Sequence, residues 1–289
     1  MNTYPITPLG SIPGLLQEIP QPPKQLNYRG ALPPADLPLI AVVGSRHYTN
    51  YGKAVVEHIV GGLVGYQVGI VSGLAIGIDG LAHEAALRHH LYTLAIPGGG
   101  LDDTVLYPAR HKRLAYRILE AGGTLLSEYE PTQRVARWTF PQRNRLVCGL
   151  AQATVVIEAA EQSGSLITAR MATDYNRELF VVPGDIFSPV SRGTHQFLKL
   201  GATPLTDAKD IIDALELKPT PAKSIAADTA AGAVAPAAQT LLCTLTEPMQ
   251  KDELIRRSGI ATAQANVLLM ELELTGHIAE TDGTYRRRQ

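Results

Sequence analysis

A run of arginines and aromatic residues is the segment of this sequence best suited to bind a polyanion. It reads Arg134-Val-Ala-Arg137-Trp138-Thr-Phe140-Pro141-Gln-Arg143-Asn144-Arg145, includes the single tryptophan of the chain and contains no acidic residue. Guanidinium groups pair with phosphate oxygens in a fork, and aromatic rings stack on unpaired bases. The run therefore favours binding of single-stranded nucleic acid. The alternative is a solvated basic loop whose aromatic side chains pack inward.

Glycine-bearing turns supply a second kind of anion-binding chemistry. They are Gly44-Ser45-Arg46, Ser72-Gly73-Leu-Ala-Ile-Gly77-Ile-Asp79, Pro97-Gly98-Gly99-Gly100 and Ser163-Gly164-Ser165-Leu-Ile-Thr168. Backbone amides in such turns, and at the start of a following helix, bind phosphate. One such turn alone is weak evidence, because tight turns need glycine for structural reasons. Together, and with Arg46 in the first, they predict a phosphate-binding surface.

The usual nucleotide and metal motifs are missing. No turn has the Gly-x-Gly-x-x-Gly spacing of dinucleotide-binding folds, and no Gly-Lys-Ser or Gly-Lys-Thr is present. His83-Glu84 and His89-His90 do not form the i, i+4 histidine pair of zinc proteases. The sequence also offers no Ser-His-Asp or Cys-His set. We therefore expect no metal, no cofactor and no enzymatic activity.

Positive charge is concentrated in the middle of the chain. The net charge of the 289 residues is −1, which argues against a protein that coats nucleic acid generally. Between residues 107 and 145, however, eight basic residues face three acidic ones. The two cysteines are far apart in apolar surroundings, and neither a signal peptide nor a long apolar run is visible. We expect buried thiols, a cytoplasmic location and no membrane association.

Apolar runs alternate with helical stretches between residues 37 and 217. Strands are predicted at 39–44, 68–71, 92–96, 124–126, 154–158 and 179–182. A first helix is predicted after the first strand, ending at about residue 63, and further helices at 78–90, 110–121, 143–151 and 166–177. This alternation predicts an α/β fold with a doubly wound, mostly parallel sheet. Ligands of such sheets lie beyond the carboxyl ends of the strands, which is where the glycine turns fall.

The two ends of the chain have a different character. Residues 1–36 are a proline-rich lead-in, and residues 218–238 are an Ala/Pro stretch that predicts a flexible linker. Residues 239–289 predict helices at 240–246, 251–258 and 262–274 and a hairpin turning at Asp282-Gly283, which together suggest a small winged-helix domain. The recognition helix at 262–274 has no basic residue and ends with Glu271 and Glu273. We expect it to contact a protein rather than read a DNA sequence, or the domain to add weak backbone affinity through residues 286–288.

Taken in order, these motifs resemble one known family over residues 39–215, DNA-processing protein A (DprA, also called Smf). The matching residues are Gly44-Ser45-Arg46, Ser72-Gly73-Leu74-Ala75, Gly77-Ile78-Asp79, Ala82-His83, Tyr107-Pro108, Ser127-Glu128, Phe140-Pro141, Arg143-Asn144-Arg145, Ser163 through Ala169, and Pro183-Gly184. The segment from Gln239 resembles the winged-helix domain that many members carry. Ile76 and His111 depart from the family pattern, where arginine and asparagine respectively are common.

The resemblance implies an extended Rossmann-like domain that forms a homodimer, binds single-stranded DNA and helps to load the RecA recombinase during natural transformation. It implies an anion pocket formed by Gly44, Ser45, Arg46, Gly164 and Ser165. The further DNA-binding positions it implies are Ser72, Gly73, Lys112, Phe140, Arg143 and Asn144.

Two other functions compete with this interpretation. The first is a nucleotide-metabolite hydrolase or sensor, since the Pro97-Gly98-Gly99-Gly100 turn is similar to the Pro-Gly-Gly loop of nucleotide phosphoribohydrolases. Those enzymes need a Gly-Thr and a catalytic glutamate directly afterwards, whereas Leu101-Asp102-Asp103-Thr104 follows here. The second is a transcription regulator that uses its winged helix, which the acidic recognition helix disfavours.

Overall fold

The chain divides into two compact units, Met1–Thr220 and Pro221–Gln289. The structure is a computed structural model and describes residues 4–220, 236–245, 249–274, 277–281 and 284–287. Most of the linker predicted at 218–238, the predicted turn at Asp282-Gly283 and Arg288 lie outside the described residues. Within the described ranges, no helix combines the length and apolar character needed to cross a bilayer.

The first unit alternates strands and helices along the chain. Its strands are β1 (Thr7–Pro8), β2 (Asn27–Gly30), β3 (Leu39–Val43), β4 (Gly69–Ser72), β5 (Tyr92–Ala95), β6 (Thr124–Ser127), β7 (Ala153–Val156), β8 (Glu178–Val181) and β9 (Thr203–Pro204). Its helices are α1 (Gly14–Gln17), α2 (Asn50–Gly62), α3 (Ile78–Arg88), α4 (Lys112–Glu120), α5 (Thr139–Leu150), α6 (Gly164–Asp174), α7 (Arg192–Lys199) and α8 (Ala208–Ala214).

The strands form one sheet in the order β1-β2-β6-β5-β4-β3-β7-β8-β9. From β6 to β9 in this order, neighbouring strands pair in parallel, while β2 pairs antiparallel with both β1 and β6. The predicted doubly wound, mostly parallel α/β fold is confirmed. The start of α5 was predicted wrongly: the helix begins at Thr139 rather than at Arg143, with Pro141 in its first turn, where a missing amide hydrogen costs no helical bond.

The proline-rich N-terminal segment belongs to this sheet, which its composition did not indicate. It contributes α1, and β2 pairs with β6 through Asn27↔Ser127 and Gly30↔Thr124. Arg29 is fully buried, and its Nη1 donates to Asp103 Oδ1 at 2.7 Å and to the Leu101 carbonyl at 3.0 Å. Asp103 thus anchors the N-terminal strand.

The core lies on both faces of the sheet. All five residues of β3 are buried, with Ile40 and Val42 packing towards α2 and α3 and the alternate residues towards α1, α5 and α6. This alternation follows from the two-residue period of a strand. With both faces covered, ligand access is restricted to the ends of the strands.

Protonation of His83 is predicted to destabilise the first unit. The ring is fully buried, its Nδ1 lies 2.7 Å from Thr93 Oγ1, and burial lowers its pKa to about 3. The unfolded histidine titrates near its usual pKa of about 6.5. Below that pH the unfolded state binds the extra proton, so the free energy of unfolding falls by about 1.4 kcal/mol per pH unit towards pH 3.

Urea unfolding measures this effect: we expect the free energy of unfolding to be about 2 kcal/mol lower at about pH 5 than at about pH 7. A His83→Gln variant removes the titrating ring and is expected to lose less stability over the same interval. Equal pH dependence in the wild type and the variant would show that His83 does not carry the effect.

The second unit contains α9 (Pro236–Thr244), α10 (Lys251–Ser258) and α11 (Thr262–Leu274), with strands β10 (Met249–Gln250), β11 (Ile278–Thr281) and β12 (Thr284–Arg287) in the sheet order β10-β12-β11. Helix α11 buries Ala265, Leu268, Leu269 and Leu272, at the spacing of an amphipathic helix. Helices are present at the three predicted places, although the first begins at Pro236 rather than at Thr240, and β11 and β12 pair antiparallel as the predicted hairpin requires. Cys243 is exposed rather than buried as expected, whereas Cys148 is buried.

Candidate nucleic-acid interface

A cleft opens where the strand order reverses. The chain runs from β3 outwards to β6 on one side and then returns to β7 on the other side of β3. Beyond the carboxyl ends of these two strands lies a space of about 610 Å³, here named the switch-point cleft. Its lining includes Gly44, Ser45, Arg46, Arg137, Phe140, Arg143, Asn144, Gly164 and Ser165. The fold thus brings together most of the residues predicted to bind DNA, at the usual ligand position of such sheets.

The loop that carries Arg46 is fastened on both sides. The Ser45 amide donates to the Glu158 carbonyl at 2.6 Å, and the Ile78 amide donates to the Ser45 carbonyl at 3.1 Å. The carboxylate of Glu158, which is 3% exposed, accepts from the Thr49 amide at 2.9 Å and from the Thr49 hydroxyl. Glu158 is therefore a positioning residue that sequence reasoning missed. An acid at the end of the apolar strand predicted at 154–158 was its only signal.

Arg46 itself stays exposed and rests on an aromatic ring. Its guanidinium lies 5.4 Å from the centroid of Phe140, and the Phe140 and Tyr107 ring centroids lie 5.9 Å apart. A cation over a ring face is held by the electrostatic field of the ring. Phe140 therefore orients Arg46, and the face that it turns towards Arg46 is already covered.

Gly77 permits the close approach of the Arg46 loop to α3. Its φ is +94°, and a Cβ at this position would lie 2.3 Å from the Ser45 carbonyl oxygen and 2.6 Å from Arg46 Cα. These distances are shorter than any real Cβ contact. The residue is thus required for the loop rather than for direct contact with a ligand.

Arg143 lies in the cleft wall but is turned into the protein. It is 3% exposed and donates to the carbonyl oxygens of Gly73 and Ile96, while its Nε donates to Asn144 Oδ1 at 3.1 Å. Nearby, the buried Asp79 carboxylate accepts from the Gly73 amide at 3.1 Å. Burial lowers the pKa of Arg143 and raises that of Asp79, and the charge of each opposes the shift of the other. The geometry gives Arg143 a bracing role, and its DNA contact stays a prediction.

The start of α6 forms the opposite wall of the cleft. Ser163 caps the helix, with its Oγ accepting from the Ser165 amide at 3.3 Å and lying 2.6 Å from Ser165 Oγ. Gly164 is exposed at the first helical position. The positive end of the α6 dipole and its first amides therefore adjoin the same space as Arg46, an arrangement that favours an anion.

Three predicted positions lie away from this cleft lining. Ser72 is fully buried and its Oγ donates to the Val42 carbonyl at 2.7 Å. Gly73 lies beneath the Arg143 guanidinium, and Lys112 is half-buried at the first residue of α4. Their contact with DNA stays a prediction. The Gly98–Gly100 turn is buried too, and the Gly100 amide donates to the Gln133 carbonyl at 2.8 Å.

A second basic cleft adjoins the first at Arg46. This α3–α4 cleft encloses about 880 Å³ and is lined by Arg46, Arg110, Arg113 and Arg117 together with His47 and His111. Among the described residues of its lining the one acid is Glu84, which accepts from Arg117 Nη1 at 2.7 Å. Ile76 also lines this cleft, so the position where arginine is common in the family carries no charge here. Positive charge thus extends across both clefts, as the local excess of basic residues suggested.

The second unit presents a different surface. On α11 the apolar side chains of Val267 and Met270 are 58% and 64% exposed, beside the exposed Glu271 and Glu273. A carboxylate-bearing face repels a phosphate backbone. The described surface of this helix is therefore poorly suited to a DNA groove, and its contact with a protein stays a prediction.

We predict that the Arg286→Ala/Arg287→Ala double variant has nearly normal affinity for oligo-dT. Both side chains are exposed on β12, where arginines outside a cleft add only weak backbone attraction, so the loss should be about threefold or less. Fluorescence anisotropy with labelled oligo-dT measures it. A loss comparable to that of removing Arg46 would instead make the winged helix a principal DNA contact.

Known proteins are similar to this chain in sequence over both of its units. The family description "DNA recombination-mediator protein A" matches residues 6–216, and "DprA winged helix domain" matches residues 226–284. Protein Smf of Escherichia coli is 38% identical over 253 residues, which cover 86% of this chain and 67% of that protein. DNA processing protein DprA of Streptococcus pneumoniae is 41% identical over 201 residues, covering 70% of each chain.

Solved structures agree. The X-ray structure of DprA from Streptococcus pneumoniae superposes with a TM-score of 0.66 at 37% identity, covering 75% of both chains. DNA processing protein A from Helicobacter pylori, studied for its single-stranded DNA binding mode, gives a TM-score of 0.66 at 28% identity and covers 74% of this chain and 97% of that one. The chain, a Rossmann-like α/β domain followed by a winged helix, belongs to the DprA (Smf) family of DNA recombination-mediator proteins.

Proposed function

We propose that this protein binds single-stranded DNA, mainly through phosphates, along the surface that joins the switch-point cleft to the α3–α4 cleft. The observation that carries the proposal is Arg46, which is exposed on the Phe140 ring and lines both clefts. Phosphate contacts position a strand without reading its bases, so sequence preference should be slight. The study of the Helicobacter pylori relative supports the ligand class.

The proposal extends to the role of the bound strand. We infer that the protein protects incoming DNA and loads a RecA recombinase in natural transformation and recombination, in the cytoplasm and without enzymatic activity. The family description as a recombination mediator supports this role. We also infer a homodimer. Ile186, Phe187 and Leu200 are 72%, 83% and 79% exposed and offer apolar surface for a dimer to bury.

A competition experiment tests the proposed ligand. Labelled oligo-dT bound to the full chain is challenged with unlabelled oligo-dT, duplex of equal length and a panel of mononucleotides. We expect oligo-dT to displace the label at the lowest concentration, because a flexible single strand can follow both clefts. Displacement by a mononucleotide at similar concentrations, or release of free base from it, would favour the nucleotide-metabolite sensor or hydrolase.

Loading of the recombinase is tested separately. RecA assembles slowly on a single strand that another protein already covers. The DNA-dependent ATPase activity of RecA shows the delay before it assembles. Adding this protein should shorten the delay, whereas the Arg46→Ala variant should not. An unchanged delay with the wild type would remove the loading role while leaving DNA binding intact.

A further inference from the structure

A third cleft lies on the other side of α5, and we propose that it is a base-binding subsite for the same single strand. This inference rests on the proposed binding of single-stranded DNA at Arg46. The space encloses about 560 Å³, and the residues that matter in its lining are Lys24, Tyr129, Gln133, Trp138, Gln142 and Arg145. It is named the Trp138 cleft below.

Trp138 supplies a platform for stacking. Its side chain is 58% exposed, and Tyr129 holds the ring edge-on with a centroid distance of 6.0 Å and an interplanar angle of 81°. Tyr129 is in turn 7% exposed and donates through its hydroxyl to the Thr139 carbonyl at 3.2 Å. A fixed ring with an open surface is what an unstacked base requires. Phe140, by contrast, already carries Arg46.

A buried ion pair forms the polar floor of the Trp138 cleft. Arg145 donates to Glu128, and their side chains are 6% and 11% exposed. Within the described part of the chain, Arg145 Nε and Nη1 and Glu128 Oε1 have no hydrogen-bond partner. Buried polar atoms without partners are rare in folded proteins and call for an explanation. A buried and incompletely hydrogen-bonded ion pair of this kind makes the floor of the cleft polar, which suits a polar ligand better than an apolar one.

The charge of the lining favours a base over a phosphate. Lys24 and Arg145 face Glu128, so the cleft is nearly neutral, unlike the two basic clefts. Its remaining polar lining is mainly glutamine, at Gln21, Gln25, Gln133 and Gln142. A glutamine amide both donates and accepts, which suits the edge of any base. The cleft should therefore take a base without strong preference for one type.

The path between the clefts is short. Arg137 lines the switch-point cleft and Trp138 lines the third cleft, and adjacent Cα atoms are about 3.8 Å apart. Along α5, Phe140 and Asn144 line the first space while Gln142 and Arg145 line the other. A strand with phosphates at Arg46 and Arg137 can therefore cross the start of α5 and place its next base on Trp138.

Because Trp138 is the only tryptophan in the chain, its intrinsic fluorescence reports on this cleft alone. We expect long oligo-dT to quench it in proportion to binding measured by anisotropy, since stacked bases quench indole emission. A dinucleotide, which fills the Arg46 site without reaching across α5, should leave it unchanged. Full binding of long oligo-dT without quenching would overturn the subsite and leave the proposed function standing. Absence of any binding would overturn the proposed function itself.

Substitutions separate stacking from general affinity. Trp138→Ala should weaken the binding of long oligo-dT about tenfold, which corresponds to about 1.4 kcal/mol for one lost stacking contact. It should not change the binding of a dinucleotide. Trp138→Phe should restore most of the loss, and Val64→Ala, which shortens an exposed apolar side chain outside the three clefts, should have no effect. Trp138→Ala should bind an abasic strand of equal length as tightly as the wild type does. An equal loss on the abasic strand would show that no base enters this cleft.

Discussion

Replacing Arg46 with alanine is expected to weaken the binding of oligo-dT about thirtyfold, equivalent to about 2 kcal/mol for a lost charge-assisted pair with phosphate. Arg46 is exposed, lines both basic clefts and is oriented by Phe140. Its loss removes a phosphate contact, so the salt dependence should flatten by about 0.7 in a plot of log affinity against log salt concentration.

Anisotropy titrations of labelled oligo-dT over a salt series measure both quantities. Arg192→Ala is the matched control, because Arg192 is exposed at the start of α7 and lies outside the three clefts. Arg46→Lys keeps the charge but not the fork, and should fall between wild type and alanine. If Arg46→Ala and Arg192→Ala bind alike, Arg46 is not a DNA contact.

Gly77→Ala is expected to damage both the fold and the binding surface. The positive φ of +94° already disfavours alanine, and the added Cβ would meet the Ser45 carbonyl at 2.3 Å. Strain of this kind costs about 1–3 kcal/mol, and the overlap with backbone adds to it. Because the atoms displaced are those of the Arg46 loop, affinity for oligo-dT should fall about as far as in Arg46→Ala.

Gly164→Ala is the control in the same cleft. Among the described residues, and apart from its chain neighbours and the backbone of its own helix, no atom lies within 4 Å of the Cβ that alanine would add, and its backbone is that of an ordinary helix start. The amide is retained, so stability measured by urea unfolding should be unchanged or slightly higher, and oligo-dT binding should be close to normal. Normal stability and normal binding in Gly77→Ala would contradict the geometry assigned to the Arg46 loop.

The parallel strands and the glycine turns could be predicted because their signals are local. A buried parallel strand is a continuous apolar run, and the turn after it needs glycine, so β3 and Gly44 are visible in the sequence alone. Their convergence on one cleft followed from the general rule for doubly wound sheets. The strands of the N-terminal segment are short and surrounded by prolines, and the pairing of β2 with β6 spans about a hundred residues of sequence. No local pattern reveals such a pairing.

The direction in which a side chain points could not be predicted from the sequence. Arg143 and Arg46 are both arginines in motifs of the family, yet Arg143 is 3% exposed and Arg46 faces solvent. The difference arises because Gly73 and Ile96 offer carbonyl oxygens to Arg143, a contact between distant segments. Glu158 escaped notice for the same reason, since its partner Thr49 lies far away in the sequence.

The salt dependence of oligo-dT binding by the unmodified chain tests the central claim most directly. Log affinity should fall linearly with log salt with a slope of about −3, from about 0.7 for each of the exposed cleft arginines Arg46, Arg110, Arg113 and Arg137. At every salt concentration a duplex of equal length should bind more weakly. Failure to bind oligo-dT at low salt, or binding with a slope near zero, would contradict a phosphate-based single-strand interface.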